Sequence, residues 1–130
     1  MKTSNFLLFL AIYGFITGGM MLFNAAGSLE NFGVPLIDQT HIVILQYLGL
    51  TDIALSLIVF LQRNEQSPSV IKSLLITYLF ITIGSFLKAL YDVYIINVPS
   101  NTFFWVDMSV RLLVGLVCVF YLLRIDKKND

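Results

Sequence analysis

Five charged residues lie inside long apolar stretches of this chain, where an ordinary surface role does not explain them. Asp52 interrupts the second stretch, Lys88 and Asp92 the third, and Asp107 and Arg111 the fourth. Within each of the two pairs the spacing is four residues, so on a helix the side chains are neighbours and can form an ion pair. Groups of this kind can bind a charged ligand or an ion, or can transfer protons.

The stretches that carry these charges are long enough to cross a lipid bilayer. Of 130 residues, 58% are hydrophobic and 12% charged, with a mean hydropathy of +0.86, whereas soluble domains carry about 25% charged residues. A membrane-spanning helix needs about 20 predominantly apolar residues. The sequence therefore predicts an all-α fold, an integral membrane four-helix bundle in one domain, 1–130. The predicted spans are about 6–26, 42–61, 70–94 and 103–123.

The positive charges predict how the four spans are oriented. Six Lys and Arg residues at or beyond the span ends fall on one side of the membrane if the chain crosses four times: Lys2, Arg63, Lys72, Arg124, Lys127 and Lys128. The two connectors on the other side, called the outer side below, contain none. The positive-inside rule therefore predicts that both termini are cytoplasmic. The first apolar run, from Phe6 to Phe23, exceeds the roughly 7–15 residues of a signal-peptide core, so we expect it to be retained.

Small and polar residues predict which helix faces point into the bundle. In the third span Thr77, Gly84, Ser85, Lys88 and Asp92 form one stripe in an otherwise Leu, Ile and Phe-rich helix. Small residues let membrane helices approach closely, so such stripes are expected to face their neighbours. The corresponding residues of spans one, two and four are Tyr13, Thr17, Met20 and Asn24; His41, Gly49, Asp52 and Ser56; and Asp107, Arg111, Gly115 and Cys118.

Helix geometry places the charged residues in the outer half of the membrane. At about 1.5 Å per residue, Asp52 is the deepest, about 15 Å in, while Asn24 and His41 lie at the outer span ends. Three acids then face two bases, so one acid lacks a basic partner. Asp52, the most desolvated, is the candidate to carry a proton at neutral pH. Alternatively, His41 supplies the balancing charge below about pH 6.5.

The pairing within this set has two solutions that the sequence leaves open. Lys88 with Asp92 and Asp107 with Arg111 are same-helix pairs, and the second has the more favourable order, with the acid first. Lys88 with Asp107 and Arg111 with Asp52 would be cross-helix pairs. The candidate ligand-binding or ion-network residues are Asn24, His41, Asp52, Lys88, Asp92, Asp107 and Arg111.

Several functional classes are disfavoured. Net charge is zero, from 8 Lys and Arg against 8 Asp and Glu, so no basic surface predicts nucleic-acid binding. No nucleophile elbow, Walker loop, HExxH or CxxC motif occurs. With one histidine and one cysteine, Cys118, neither a metal site nor a bound cofactor is predicted. Cys118 is expected to be a small buried residue.

The arrangement resembles small bacterial membrane proteins of the broad DoxX-like kind. The resemblance is carried by "YGFITGGMMLFNAAGSLENFGVP", a glycine-bearing first span with its connector, and by "LQYLGLTDIALSLIVFL", the second span. Where many DoxX-like proteins have an arginine near the start of the second span, this chain has His41 and Gln46. The resemblance implies a four-span bundle in a bacterial inner membrane. Some relatives are linked to quinone-coupled oxidation or to the assembly of redox enzymes.

These observations favour a non-enzymatic accessory or ligand-binding membrane protein with a buried polar cluster in the outer half of the bundle. The alternative is a small proton- or ion-coupled transporter with Asp52 as the titrating group. A charge network that only fixes helix register is a third interpretation. The expected partners are the lipid bilayer, a small ligand or lipid, and a membrane protein or a second copy docked on the face of Gly14, Gly18 and Gly19.

Overall fold

A computed structural model describes residues 3–34 and 39–126, and within these residues the chain is helical with no strand. Its helices are α1 (Thr3–Phe23), α2 (Ala25–Asn31), α3 (Gln39–Gln62), α4 (Pro68–Tyr94) and α5 (Thr102–Asp126). All but α2 are long and apolar enough to cross a membrane. The predicted all-α fold and its four spans are therefore confirmed. The cytoplasmic termini stay a prediction, and three of the lysines behind it, Lys2, Lys127 and Lys128, lie outside the described residues.

The helices form two compact units, one containing α1, α2 and α3 and the other α4 and α5. Each unit is built on a helical hairpin. The assignment of the chain to a single domain stays a prediction.

The connector after α1 contains a short helix that the sequence did not predict. The first span was predicted to continue to about residue 26, but α1 ends at Phe23, and Asn24 leaves the helical conformation with φ −134° and ψ 50°. Helix α2 ends at Asn31, and Gly33, two residues later, has a φ of 75°, in the left-handed region that favours glycine. Pro35, whose ring disfavours a regular helix in this connector, lies outside the described residues.

Helices α1 and α3 run antiparallel and cross at two glycines. Ser4 Oγ donates a hydrogen bond to Asn64 Oδ1 (2.9 Å) at one end of the pair, and Gln46 Nε2 donates to the Leu22 carbonyl (3.4 Å) near the other. Between these ends, a Cβ added to Gly49 would lie 2.6 Å from the carbonyl oxygen of Gly18. Because the obstructing atoms include backbone, the two helix backbones are in direct contact here.

Helices α4 and α5 form the second antiparallel hairpin. Its close contact lies at Gly115, where an added Cβ would meet the Ile83 side chain at 2.6 Å. Asn101 caps α5, since its Oδ1 accepts a hydrogen bond from the Phe104 amide (2.9 Å).

The face of α4 that is buried differs from the predicted stripe. The buried side chains are Leu75, Tyr78, Thr82 and Ala89, whereas Gly84 has no atom within 4 Å of an added Cβ. Within the α4–α5 unit, therefore, Gly84 does not mark the close helix contact. Thr82 can be buried because its hydroxyl donates to the Tyr78 carbonyl of its own helix (2.7 Å). The small residue that permits close approach is supplied by α5 instead.

The two glycine contacts predict unequal effects of adding a methyl group. Gly49→Ala places Cβ against backbone atoms, the Gly18 oxygen at 2.6 Å and the Leu22 nitrogen at 2.7 Å, so the helices must separate. We expect a loss of about 1–3 kcal/mol in the free energy of unfolding, typical of overpacking. Gly115→Ala meets the end of the flexible Ile83 side chain and should cost less. Thermal unfolding in detergent measures both.

The matched control for this comparison is Gly19→Ala, because Gly19 lies on the same helix as Gly18 but has open space around an added Cβ. We expect this variant to unfold at or slightly above the wild-type temperature, since alanine favours a helix over glycine. Equal destabilisation by Gly49→Ala and Gly19→Ala would contradict the backbone contact.

Candidate polar sites in the membrane-spanning helices

Asp52 lies near the middle of α3, half-buried, and is held by a side chain from α1. The hydroxyl of Thr17 is 2.6 Å from Asp52 Oδ2 and donates to it. The neighbouring residue of Thr17 is Gly18, so the glycine crossing brings the two side chains together. Within residues 3–34 and 39–126, no basic side chain pairs with Asp52.

The contact between Thr17 and Asp52 can persist in either protonation state of the acid. The Thr17 hydroxyl has one proton but three acceptors within reach, since the carbonyls of Tyr13 and Gly14 lie 3.2 Å and 3.3 Å from Oγ1. When Asp52 is ionised, Thr17 donates to it. When Asp52 carries a proton, the acid can donate to Thr17, and Thr17 can turn its own proton to a carbonyl. The pair is therefore chemically able to accept and release a proton.

A second hydroxyl lies one helical turn from Asp52. Ser56 is fully buried (0% exposed), and its Oγ has no hydrogen-bond partner among the residues that the structure describes. Residues four apart share a helix face, so Asp52 and Ser56 form a polar strip on α3. Buried hydroxyls usually have a hydrogen-bond partner, so the Ser56 hydroxyl makes this polar strip unusual.

Asp107 and Arg111 form an ion pair on α5. Arg111 Nε donates to Asp107 Oδ2 at 2.7 Å, and the two side chains are only 16% and 15% exposed. Since the guanidinium remains charged in proteins, the pair contributes a fixed, charge-assisted hydrogen bond inside the span.

Lys88 and Asp92 form the corresponding pair on α4, but in a far more open position. The Lys88 ammonium donates to Asp92 Oδ1, and the side chain of Lys88 is 67% exposed against 29% for Asp92. The ammonium also lies 5.9 Å from the centre of the Tyr91 ring. Both observed pairs in this hairpin are thus the same-helix pairs of the two solutions considered from sequence.

The two remaining candidates lie at helix ends. Asn24 joins α1 to α2, exposed, with its amide folded against Gly27, where an added Cβ would come within 2.7 Å of it. His41 lies exposed in the first turn of α3. In the described part of the chain, no group of three or more His, Cys, Asp or Glu side chains could hold a metal ion.

Thr17 is the residue that the sequence did not include among the site candidates. It was placed on the inward face of span one, but nothing in the spacing of one helix identifies its partner on another. Its β-hydroxyl four residues after Tyr13 is also an ordinary pattern in helices, where threonine bonds to its own backbone.

The two ion pairs predict different effects of removing their bases. Arg111→Met removes the charged hydrogen-bond donor that Asp107, only 15% exposed, has in Arg111, so we expect a loss of about 1.5–3 kcal/mol in the free energy of unfolding, the value of a hydrogen bond to a charged group. Lys88→Met removes a well-exposed partner and should change the free energy of unfolding by about 0–1 kcal/mol. Unfolding in detergent measures both variants. Equal losses in the free energy of unfolding would contradict the prediction that the less exposed ion pair contributes more.

Comparison of the chain with protein-family models, with curated proteins and with solved structures returned no match. The DoxX-like resemblance therefore stays a prediction. The four apolar spans identify an integral membrane protein.

Proposed function

We propose that this protein is a non-enzymatic accessory or ligand-binding membrane protein of the DoxX-like kind. The observation that carries the proposal is the exposed pair of Lys88 and Asp92 at the same end of the α4–α5 hairpin as the half-buried pair of Asp107 and Arg111. The antiparallel helices bring these pairs to the end that holds the connector 95–101. With the termini in the cytoplasm of a bacterial inner membrane, this end is the outer one.

The energetics of a charge in a membrane favour a binding role for the open pair. A charged side chain at a helix centre costs about 2.5–3.5 kcal/mol on insertion scales, and Lys88 lies six residues before the end of α4, about 9 Å by helical rise. The ammonium has three donors, of which Asp92 takes one. A polar ligand approaching from the outer side would satisfy donors that the protein leaves exposed.

The half-buried pair has a supporting role in this proposal. Asp107 and Arg111 neutralise each other at 2.7 Å, so they add polarity beneath the outer end of the hairpin without adding net charge. The hairpin therefore presents a second, less exposed ion pair at the same end as Lys88 and Asp92.

Native mass spectrometry of the protein extracted from its own membrane tests the proposal. We expect a copurifying lipid, small molecule or protein partner on the wild type, and reduced occupancy on Lys88→Gln, which keeps the length and polarity of the side chain but removes its charge. The matched control is Lys72→Gln, because Lys72 lies near the other end of the same helix. Equal occupancy on all three proteins would reject a ligand site at Lys88.

A proton- or ion-coupled transporter is the second candidate, and the contact of Asp52 with Thr17 favours it. An ionisable residue within a membrane span is usually functional, and this acid is bonded to a hydroxyl that can accept a proton or donate one. The buried Ser56 hydroxyl on the same face extends the polar strip.

Proton uptake by proteoliposomes that contain the protein tests the transport candidate. Asp52→Asn removes the titrating carboxyl while keeping its shape, so pH-dependent uptake should be abolished. Thr17→Val removes the hydroxyl but leaves the acid, and should shift the pH dependence while retaining flux. Asp107→Asn serves as a control, since that acid lies in a fixed pair. Unchanged flux in Asp52→Asn would reject proton coupling at this residue.

A further inference from the structure

An open apolar groove runs along α4 beside its contact with α5. It has a volume of about 520 Å³ and is lined mainly by Ile76, Phe80, Ile83, Gly84 and Leu87 of α4 and Val119 of α5, with no polar atom at its surface. From Ile76 to Leu87 the helix rises by about 16 Å. The groove is therefore elongated, and its lining is apolar throughout.

Gly84 forms the floor of this groove. A Cβ at this position would meet no atom within 4 Å, so the space above the glycine is open, whereas Phe80 and Leu87 on either side are 80% and 59% exposed. The absence of a side chain at Gly84 therefore leaves an open channel between two large apolar side chains.

The groove ends beside Lys88, which follows Leu87 in the chain and shares a helix face with Gly84. The Lys88 ammonium donates a hydrogen bond to Asp92, which lies one turn nearer the C-terminal end of α4. The Lys88 side chain therefore extends toward that end of the helix. The pair places a positive and a negative group side by side at the polar end of an apolar channel. Its net charge is zero.

We propose that a zwitterionic phospholipid occupies this groove, with one acyl chain over Gly84, its phosphate at Lys88 and its primary ammonium at Asp92. The identification rests on the proposed ligand-binding function and specifies the ligand. Charge complementarity decides the headgroup, because a neutral pair attracts both signs of a zwitterion and has no net attraction for an anionic lipid. A primary ammonium can donate a hydrogen bond to the Asp92 carboxylate, whereas a choline headgroup cannot.

The same charges disfavour a protein helix as the occupant. A helix covering the groove would also cover Lys88, whose side chain is 67% exposed, and would bury the ammonium and carboxylate without supplying groups of matching charge. Burying ions in this way is costly. A phospholipid instead provides hydrocarbon along the groove and ions at its end.

The test is lipid enrichment around the protein in nanodiscs of phosphatidylethanolamine, phosphatidylcholine and phosphatidylglycerol in equal parts. Native mass spectrometry then reads the lipids that remain bound. We expect phosphatidylethanolamine to be enriched about tenfold over each of the others, which one charge-assisted hydrogen bond is strong enough to give. Gly84→Leu should fill the channel and remove the enrichment. Gly19→Leu is the matched control, since Gly19 is also open within 4 Å, and should retain it.

The variants separate failure of this proposal from failure of the proposed function. If Lys88→Gln loses a bound ligand while Gly84→Leu keeps it, the groove is not the lipid site, although Lys88 still binds. If neither variant changes the bound species, both proposals fail. Equal binding of the three lipids by the wild type, or protein dimerisation that Gly84→Leu abolishes, would also overturn the assignment of a zwitterionic lipid.

Discussion

The direct backbone contact of Gly18 with Gly49 is the constraint on which the first unit depends. Lipid tails are as apolar as leucine, so helices in a membrane gain little from apolar burial and associate through close packing and hydrogen bonds. The contact satisfies this requirement, since an added Cβ at Gly49 would lie 2.6 Å from the Gly18 oxygen. It also positions Thr17, the residue before Gly18, beside Asp52. Packing and polar chemistry therefore share one crossing point.

The second unit meets the same requirement with a softer contact. Gly115 faces the Ile83 side chain, and the helix pair is supported by the Asn101 cap and by aromatic contact between Tyr94 and Trp105, whose ring centres are 6.4 Å apart. Lys88 pairs with Asp92 and Arg111 with Asp107, each pair within one helix. This leaves the Lys88 pair free to face outward while the hairpin remains packed.

The features that were predictable from sequence are those set by one helix at a time. Span lengths follow from apolar runs, and the same-helix pairs at Lys88 and Asp107 are one of the two pairing solutions that the sequence left open. Helix α2 was missed because seven residues, Ala25–Asn31, are too few to give a clear periodic pattern. The stripe at Gly84 was assigned to a helix contact because small residues can mark either packing or open space, and only the partner helix decides. The bond between Thr17 and Asp52 likewise joins two helices, so spacing alone does not reveal it.

The hydrogen bond between Thr17 and Asp52 has a mechanical consequence. Because the hydroxyl can donate to the acid or accept from it, a change in the charge of Asp52 need not pull α1 away from α3. The contact of Gly18 with Gly49 beside it prevents the two helices from moving closer together. The first hairpin is thus suited to act as a stationary scaffold, in which the rotation of one O–H bond replaces the movement of a helix.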